Sequence, residues 1–393
     1  MRINAKCSGL MAAYYAVHCI VLSYVTLYLG SIGCSDLFIS IVVASGCALG
    51  GVFQIVGGRI LDTSKKWNWK MILILFGLLE LVLSVSRQIV QAGTWQWIAY
   101  GLIIVVQLML MPMVNLSCFD YSAKGMKVNF GFVRGIGSAA FAVFSFVIGK
   151  LASVMGSGCI PWLTSVLIAL FLLSVLIMPD PGMPLISGQN KTSKVKISVF
   201  IRQYPAFTVM VAGLGLLMGF HNMISSFFIK VVEYLKGGSG SLGIALGIGA
   251  FAEIPVLLLY SRIKGNKENN SVKFIIVSCL FFVARSVLYL LSGNIVMICL
   301  VQLLQGVSFG LMVAARSTYA DECMGTDDKA TGQSMMTFTD AFGSVAGTLT
   351  GGILLNQGGV SYMLAGGIVI ALLGSAIALS AAKGTGFRMK YPT

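Results

Sequence analysis

The chain has 393 residues, of which 57% are hydrophobic and only 10% charged, with a formal net charge of +14 and a mean hydropathy of +0.90. That much apolar surface cannot be hidden inside one soluble globule, so the composition excludes a soluble fold and defines an integral membrane protein. The absence of GxxxxGK[ST], HExxH and GxSxG argues against an ATP-driven pump and against a membrane enzyme built on a metal or a nucleophile.

Apolar runs of roughly 18 to 25 residues, each long enough to cross about 30 Å of hydrocarbon as a helix, recur along the chain. Twelve are predicted, over 9–32, 37–60, 70–88, 95–119, 128–152, 159–179, 205–232, 240–262, 272–292, 294–317, 332–355 and 360–382. The expected fold class is therefore all-α, with twelve transmembrane helices. The first run is longer than the apolar core of a signal peptide and lacks a small-residue cleavage site, so it is expected to remain as a membrane helix.

Lysine and arginine set the expected orientation. With the amino terminus cytoplasmic, the outside keeps Arg87, Lys150, Lys230 and Lys236, and all other basic residues except Arg134 and Arg285 fall inside. Both termini are then cytoplasmic. The positive charge becomes a topology signal and an affinity for the anionic lipid bilayer, with no reason to propose nucleic acid as a partner. Nine cysteines show no CxxC pairing or metal spacing and read as small packing residues.

The one long interruption, "PDPGMPLISGQNKTSKVKISVFIRQYP", divides the helices six and six. The expected organisation is an N-terminal six-helix bundle over 1–180, a cytoplasmic central linker over 181–204 and a C-terminal six-helix bundle over 205–393. Short matches support a parallel duplication. Arg59, Ile60 and Lys70 match Arg262, Ile263 and Lys273 at an offset of 203. "FVRGIGS" and "FTDAFGS" match at an offset of 206, which sets Arg134 opposite Asp340.

Gly58, Asp62 and the following basic residues resemble the GxxxD-plus-basic loop of the major facilitator superfamily, in a copy that is incomplete after the aspartate. More closely, "NFGFVRGIGS", "AEIPVLLLYSRI" followed by "ARS", "QLLQGVSFG" and "ATGQSMMTF" are similar to the branch holding the lactose permease, the nucleoside–proton symporters and the phenylpropionate permease. The resemblance spans essentially the whole chain. It implies two pseudo-symmetric six-helix bundles rocking about a central cavity, a monomer in a bacterial inner membrane, and carriage of a small-molecule solute with protons. No cofactor is implied beyond the proton as coupling ion, with sodium as the substitute.

Six charges, Glu80, Asp120, Arg134, Glu253, Arg285 and Asp340, sit in or at the ends of apolar runs. Each costs about 2.5 to 3.5 kcal/mol on insertion scales unless it finds water or a partner. They are expected to face an aqueous cavity and pair across it; the competing reading is structural ion pairs that hold helices together. Gly131, Gly135 and Gly137 allow close helix contact on one face and leave Arg134 to project from another. In the arrangement that the resemblance implies, the fifth helix meets the eighth across the cavity, which pairs Arg134 with Glu253. Desolvation favours the neutral acid and a nearby guanidinium favours the ionised one, so making and breaking that contact would make Glu253 bind and release a proton. Asp120 is the competing proton carrier.

Where the lactose permease has a histidine and a carboxylate on its tenth helix, this chain has Gln305 and Ser308, so coupling would pass to Glu253 and Asp340 or be absent, as in a facilitator. His18 and His221 are expected either to touch solute or relay protons or to hydrogen-bond between helices. Tyr14, Tyr15, Phe220 and Asn222 beside them could contact a ring-bearing solute or serve packing. Glu80 and Arg87 are expected to pair on one helix face. Gly58, Asp62 and Arg262 are assigned to a cytoplasmic latch, with Asp321, Glu322, Asp327 and Asp328 as acidic counterparts. The functional expectation is proton-coupled symport of a nucleoside, sugar or aromatic acid; the alternatives are a proton-coupled drug or metabolite efflux antiporter and an uncoupled facilitator.

Overall fold

No water is available in a bilayer core to satisfy backbone amides, so every apolar run must close its hydrogen bonds within itself, and each forms a helix. The computed structural model describes residues 2–63, 67–90, 93–180, 197–265, 270–324 and 328–388. The first helix, α1, is built from Arg2–His18, a π-helical turn Cys19–Ser23 and Val25–Ser31. It is followed by α2 (Asp36–Thr63), α3 (Trp69–Ile89), α4 (Gly93–Ala123), α5 (Phe130–Met155) and α6 (Ile160–Ile177). A short helix, Ile197–Gln203, lies in the segment expected as a linker. Then come α7 (Pro205–Tyr234), α8 (Ser239–Lys264) and α9 (Asn270–Leu291). Helix α10 runs through Ile295–Leu303, a π-helical turn Gly306–Gly310 and Leu311–Cys323.

The last helical stretch, Lys329–Arg388, is broken at Gly358 and Gly359 into α11 before the break and α12 after it. Gly359 has φ 71° and ψ −162°, a conformation that is essentially glycine's alone. Among the described residues twelve membrane-length helices result, in two pseudo-symmetric six-helix bundles. Asparagine side chains cap three helix starts: Asn68 accepts from Met71 N at 2.9 Å, Asn129 from Phe132 N at 3.0 Å and Asn294 from Met297 N at 3.0 Å. Leu170, Leu280, Leu300 and Val166 stand exposed, an apolar surface of the kind that lipid covers.

The duplication is visible in helix geometry. Helix α1 is interrupted at Tyr24 (φ −110°, ψ 5°) and α7 at Phe227 (φ −113°, ψ 20°), and these positions differ by the same 203 residues that separate Arg59 from Arg262. His18 and His221 share that offset. Asp120 accepts from Trp69 Nε1 at 3.0 Å, and Glu322 accepts from Ser271 Oγ. Both acids end the fourth helix of their half and both donors open the third, at a common offset of 202.

The chain forms two compact units, one of residues 1–188 with 226–251 and the other of residues 189–225 with 252–393. The end of α7 and the start of α8 therefore belong with the first six helices. Within that unit Thr26 donates to Ser226 O at 2.5 Å and Lys230 pairs with Asp36 at 3.0 Å. Small residues on α5 and α8, Ser145 and Gly149 against Gly243 and Gly247, bring the two backbones into contact. A Cβ on Gly149 would lie 2.6 Å from Ser239 O and 2.7 Å from Gly243 Cα. Gly238, by contrast, has nothing within 4 Å of such an atom. Gly243→Val should therefore cost about 1–3 kcal/mol by overpacking, read as a lowered thermal midpoint in detergent, whereas Gly238→Val should leave the midpoint nearly unchanged.

Candidate functional site

Each unit buries its own polar centre. In the second unit the centre forms around Arg285, which is only 1% exposed. Arg285 and Tyr289 are one turn apart on α9, and Gln302 and Gln305 are one turn apart on α10, so each helix presents a pair of polar groups on one face. Arg285 donates to Tyr289 Oη from Nε at 3.1 Å and from NH2 at 2.7 Å. The same NH2 donates to Gln302 Oε1 at 3.0 Å and to Gln305 Oε1 at 2.6 Å. Tyr289 in turn donates to Gln302 Oε1 at 2.6 Å. Gln305 Nε2 donates to Glu253 Oε1 at 2.7 Å, so one amide joins the arginine to the carboxylate. Among the described residues, no carboxylate lies within ion-pair distance of Arg285 itself.

The backbone explains why Gln305 can reach Glu253. Immediately after it α10 widens into the π-helical turn Gly306–Gly310, a distortion frequent at functional positions. Gly306 lies against the Ala252 carbonyl, where no side chain would fit, and a Cβ on Gly310 would stand 3.4 Å from Glu253 Cγ. The two glycines set α10 hard against α8. From α7, the His221 ring stacks on Phe309 at 4.1 Å with an interplanar angle of 9°, and its Nδ1 stands 3.5 Å from Arg285 NH1.

In the first unit, Arg134 packs over the Tyr15 ring at 4.3 Å and donates to Ser138 Oγ at 3.2 Å. Tyr14 donates to Gln107 O at 2.8 Å and stacks with His18 at 5.9 Å. Tyr14 lies within electrostatic reach of Arg134 and Glu80, and His18 within reach of Arg134. His18 Nδ1 and both Glu80 oxygens have no hydrogen-bond partner among the described residues. The expected Glu80–Arg87 pair does not form: seven residues are about 10 Å of helix rise, and each group is buried on its own. Arg87 instead packs against the Tyr28 and Tyr100 rings, at 4.6 and 4.4 Å.

The remaining candidates divide between the units. Arg134, Tyr14, Tyr15 and His18 lie in the first unit, and Glu253, Arg285, Gln305 and His221 come together in the second. Phe220 is buried with its ring 6.2 Å from that of Phe282 and 6.4 Å from that of Tyr289, and Asn222 donates to Met218 O of its own helix at 2.9 Å. Asp120 is held by Trp69 and by Lys124 at 3.0 Å. Asp340 is engaged by Arg316 through two 2.6 Å hydrogen bonds, and Arg316 also donates to Thr339 Oγ1 at 2.8 Å.

Of the latch residues, the surroundings of Gly58 and the side chain of Asp62 lie outside what is described, as does Asp327, and Arg262 is exposed. Glu322 pairs with Lys264 at 2.8 Å, Asp321 accepts from Gln333 at 3.0 Å and Asp328 from Tyr204 at 2.8 Å.

Sequence reasoning missed Tyr289, Gln302 and Arg316. The first two stand one turn from Arg285 and Gln305, which was a usable signal. Arg316 counts as a loop cation by its position near a helix end, yet it is 8% exposed; the tripeptide Ala-Arg-Ser at 315–317 repeats that at 284–286.

Among the described residues, twelve membrane-length helices form two related halves, each with buried charges and aromatic or amide partners. The chain belongs to the MFS_1 like family, whose model matches residues 5–364, and is thus a multi-pass membrane transporter of the major facilitator superfamily. Its fold is similar to that of the nucleoside transporter NupG, with a TM-score of 0.77, 14% identity and 100% of both chains covered. It is also similar to a bacterial homologue of the human lysosomal transporter Spinster in an inward-facing, unoccupied conformation, at TM-score 0.72 and 13% identity over 100% of this chain and 98% of that one. A POT family transporter in complex with 5-aminolevulinic acid matches at TM-score 0.73 and 13% identity, over 97% and 96% of the two chains. No curated protein sequence matches the chain.

The Arg316–Asp340 pair can be tested by a double-mutant cycle. Arg316→Ala and Asp340→Ala should each lower stability by about 1.5–3 kcal/mol, and the double variant by less than their sum, with a coupling of at least about 1 kcal/mol in thermal or denaturant unfolding.

Proposed function

We propose that this transporter is a proton-coupled symporter that carries a small organic solute of the nucleoside, sugar or aromatic-acid class by alternating access. The halves 1–180 and 205–393, joined by 181–204, rock about the pathway in a monomer that sits in a bacterial inner membrane with both termini cytoplasmic. The proton is the coupling ion and no other cofactor takes part. Glu253 is its carrier.

The observation that carries this reading is the bridge from Glu253 through Gln305 to Arg285, at 2.7 and 2.6 Å. It gives the acid a polar setting whose strength depends on its ionisation, because a hydrogen bond to a carboxylate is about twice as strong as one to a neutral acid. Asp120 and Asp340 hold local structural partners, which leaves Glu253 as the acid connected to a buried network. A second reading, an uncoupled facilitator, is favoured by the three groups that α10 brings to this region, Gln302, Gln305 and Ser308, none of which titrates. One experiment separates the two. Glu253→Gln should abolish uphill accumulation of the solute while counterflow exchange down its gradient continues; accumulation equal to the unaltered protein would remove Glu253 from the coupling role.

A further inference from the structure

We infer that the transported solute is a monoanion bearing a carboxylate, that Arg285 is the seat of that carboxylate, and that one proton on Glu253 accompanies it, so that the moving pair is neutral. This rests on the symport reading and adds the chemical class of the solute.

The charge of Arg285 is permanent and is 1% exposed, yet its partners among the described residues, Tyr289, Gln302, Gln305 and His221, include no carboxylate. A buried guanidinium without a touching counter-charge is costly, and within this unit the nearest compensation is Glu253, one amide away. The donors of Arg285 are unequally served. Nε and NH2 hold three acceptors between 2.6 and 3.1 Å, whereas among the described residues NH1 has the 3.5 Å approach to His221 Nδ1 alone. That edge, beside the stacked rings of His221 and Phe309, is where a carboxylate would dock against the planar fork, with the rings as an apolar wall for the organic remainder.

Gln305 couples the two events. Arginine only donates, so the amide must turn its oxygen to Arg285 and its NH2 to Glu253. While Glu253 is ionised, this orientation is held by a charge-assisted bond. Once Glu253 takes a proton that bond weakens, the amide is free to turn, and Arg285 loses both an acceptor and its compensating charge. The vacancy suits an anion. Proton and carboxylate therefore favour each other's binding, and neither alone leaves the site neutral. The titratable and charged groups that face the network within this unit are His221 from α7, Glu253 from α8, and Arg285 and Tyr289 from α9; α10 supplies Gln302, Gln305 and Ser308, and Asp340 of α11 is engaged by Arg316.

The test uses the full chain in proteoliposomes, with flux into protein-free liposomes subtracted, under an imposed pH gradient. Matched labelled probes are glucuronate with glucose, 4-hydroxyphenylacetate with its amide, lactate, and uridine. The expected result is gradient-driven uptake of at least one carboxylate, at least tenfold less uptake of its neutral partner, and no net current under voltage clamp on a supported membrane. Arg285→Gln should abolish that uptake and Arg285→Lys, which keeps the charge but loses the fork, should reduce it at least tenfold. Gln305→Leu should flatten the pH dependence of KM, which a merely structural role would not produce. Proton-driven, current-carrying uptake of glucose or uridine would overturn the anion inference and leave the symport reading standing. Carboxylate flux indifferent to the pH gradient would overturn the symport reading and the inference with it, and absence of carboxylate uptake in every probe would overturn the inference.

Discussion

A guanidinium inside a membrane helix cannot shed its proton, so the surrounding structure must be built to tolerate the charge. Arg285 shows what that requires. Two amides and a phenol from two helices converge on it, and α10 widens over Gly306–Gly310 and sets a glycine against the α8 backbone. Glu253 lies within a hydrogen bond of Gln305 at the same place. Arg87 and Arg134 in the other unit solve the same problem differently, by lying on tyrosine rings, whose faces stabilise a cation without titrating.

The second organising feature is the duplication. Helix breaks at Tyr24 and Phe227, 203 residues apart, show that the repeat fixes where a helix bends as well as where it starts. The break in α7 falls beside the boundary between the compact units at 225 and 226, so the end of this helix packs with the first unit while its earlier turns belong to the second. Small residues then decide how closely it and its neighbours can approach: Gly149 and Gly243 touch backbone to backbone, a contact that van der Waals packing alone can hold in lipid. Polar ties, Thr26 to Ser226 and Lys230 to Asp36, add to it.

Much of this was legible in the sequence because it follows from hydropathy and period. Twelve spans, the six-and-six division and the intramembrane charges all come from the exclusion of bare polar groups from lipid. The break at Gly358 and Gly359 fell where the eleventh and twelfth spans were separated, since only a glycine accepts the turn. Partnerships were less legible. Glu80 and Arg87 share a helix face yet do not meet, because two turns of rise exceed the reach that face-sharing suggests. Asp340 stands opposite Arg134 in the repeat but bonds Arg316, a residue whose position near a helix end disguised its burial. Gln302 and Tyr289 carry no charge, and only their one-turn spacing from Gln305 and Arg285 marks them in the sequence.

The central claim is that solute movement carries a proton through Glu253. It is tested most directly by recording external pH in lightly buffered vesicles holding the protein while nucleosides, sugars and organic acids are pulsed in turn. The account predicts prompt alkalinisation outside with the solute that is taken up and none with the others. Movement of a labelled solute with no change in external pH would contradict it and leave the buried carboxylates with structural roles.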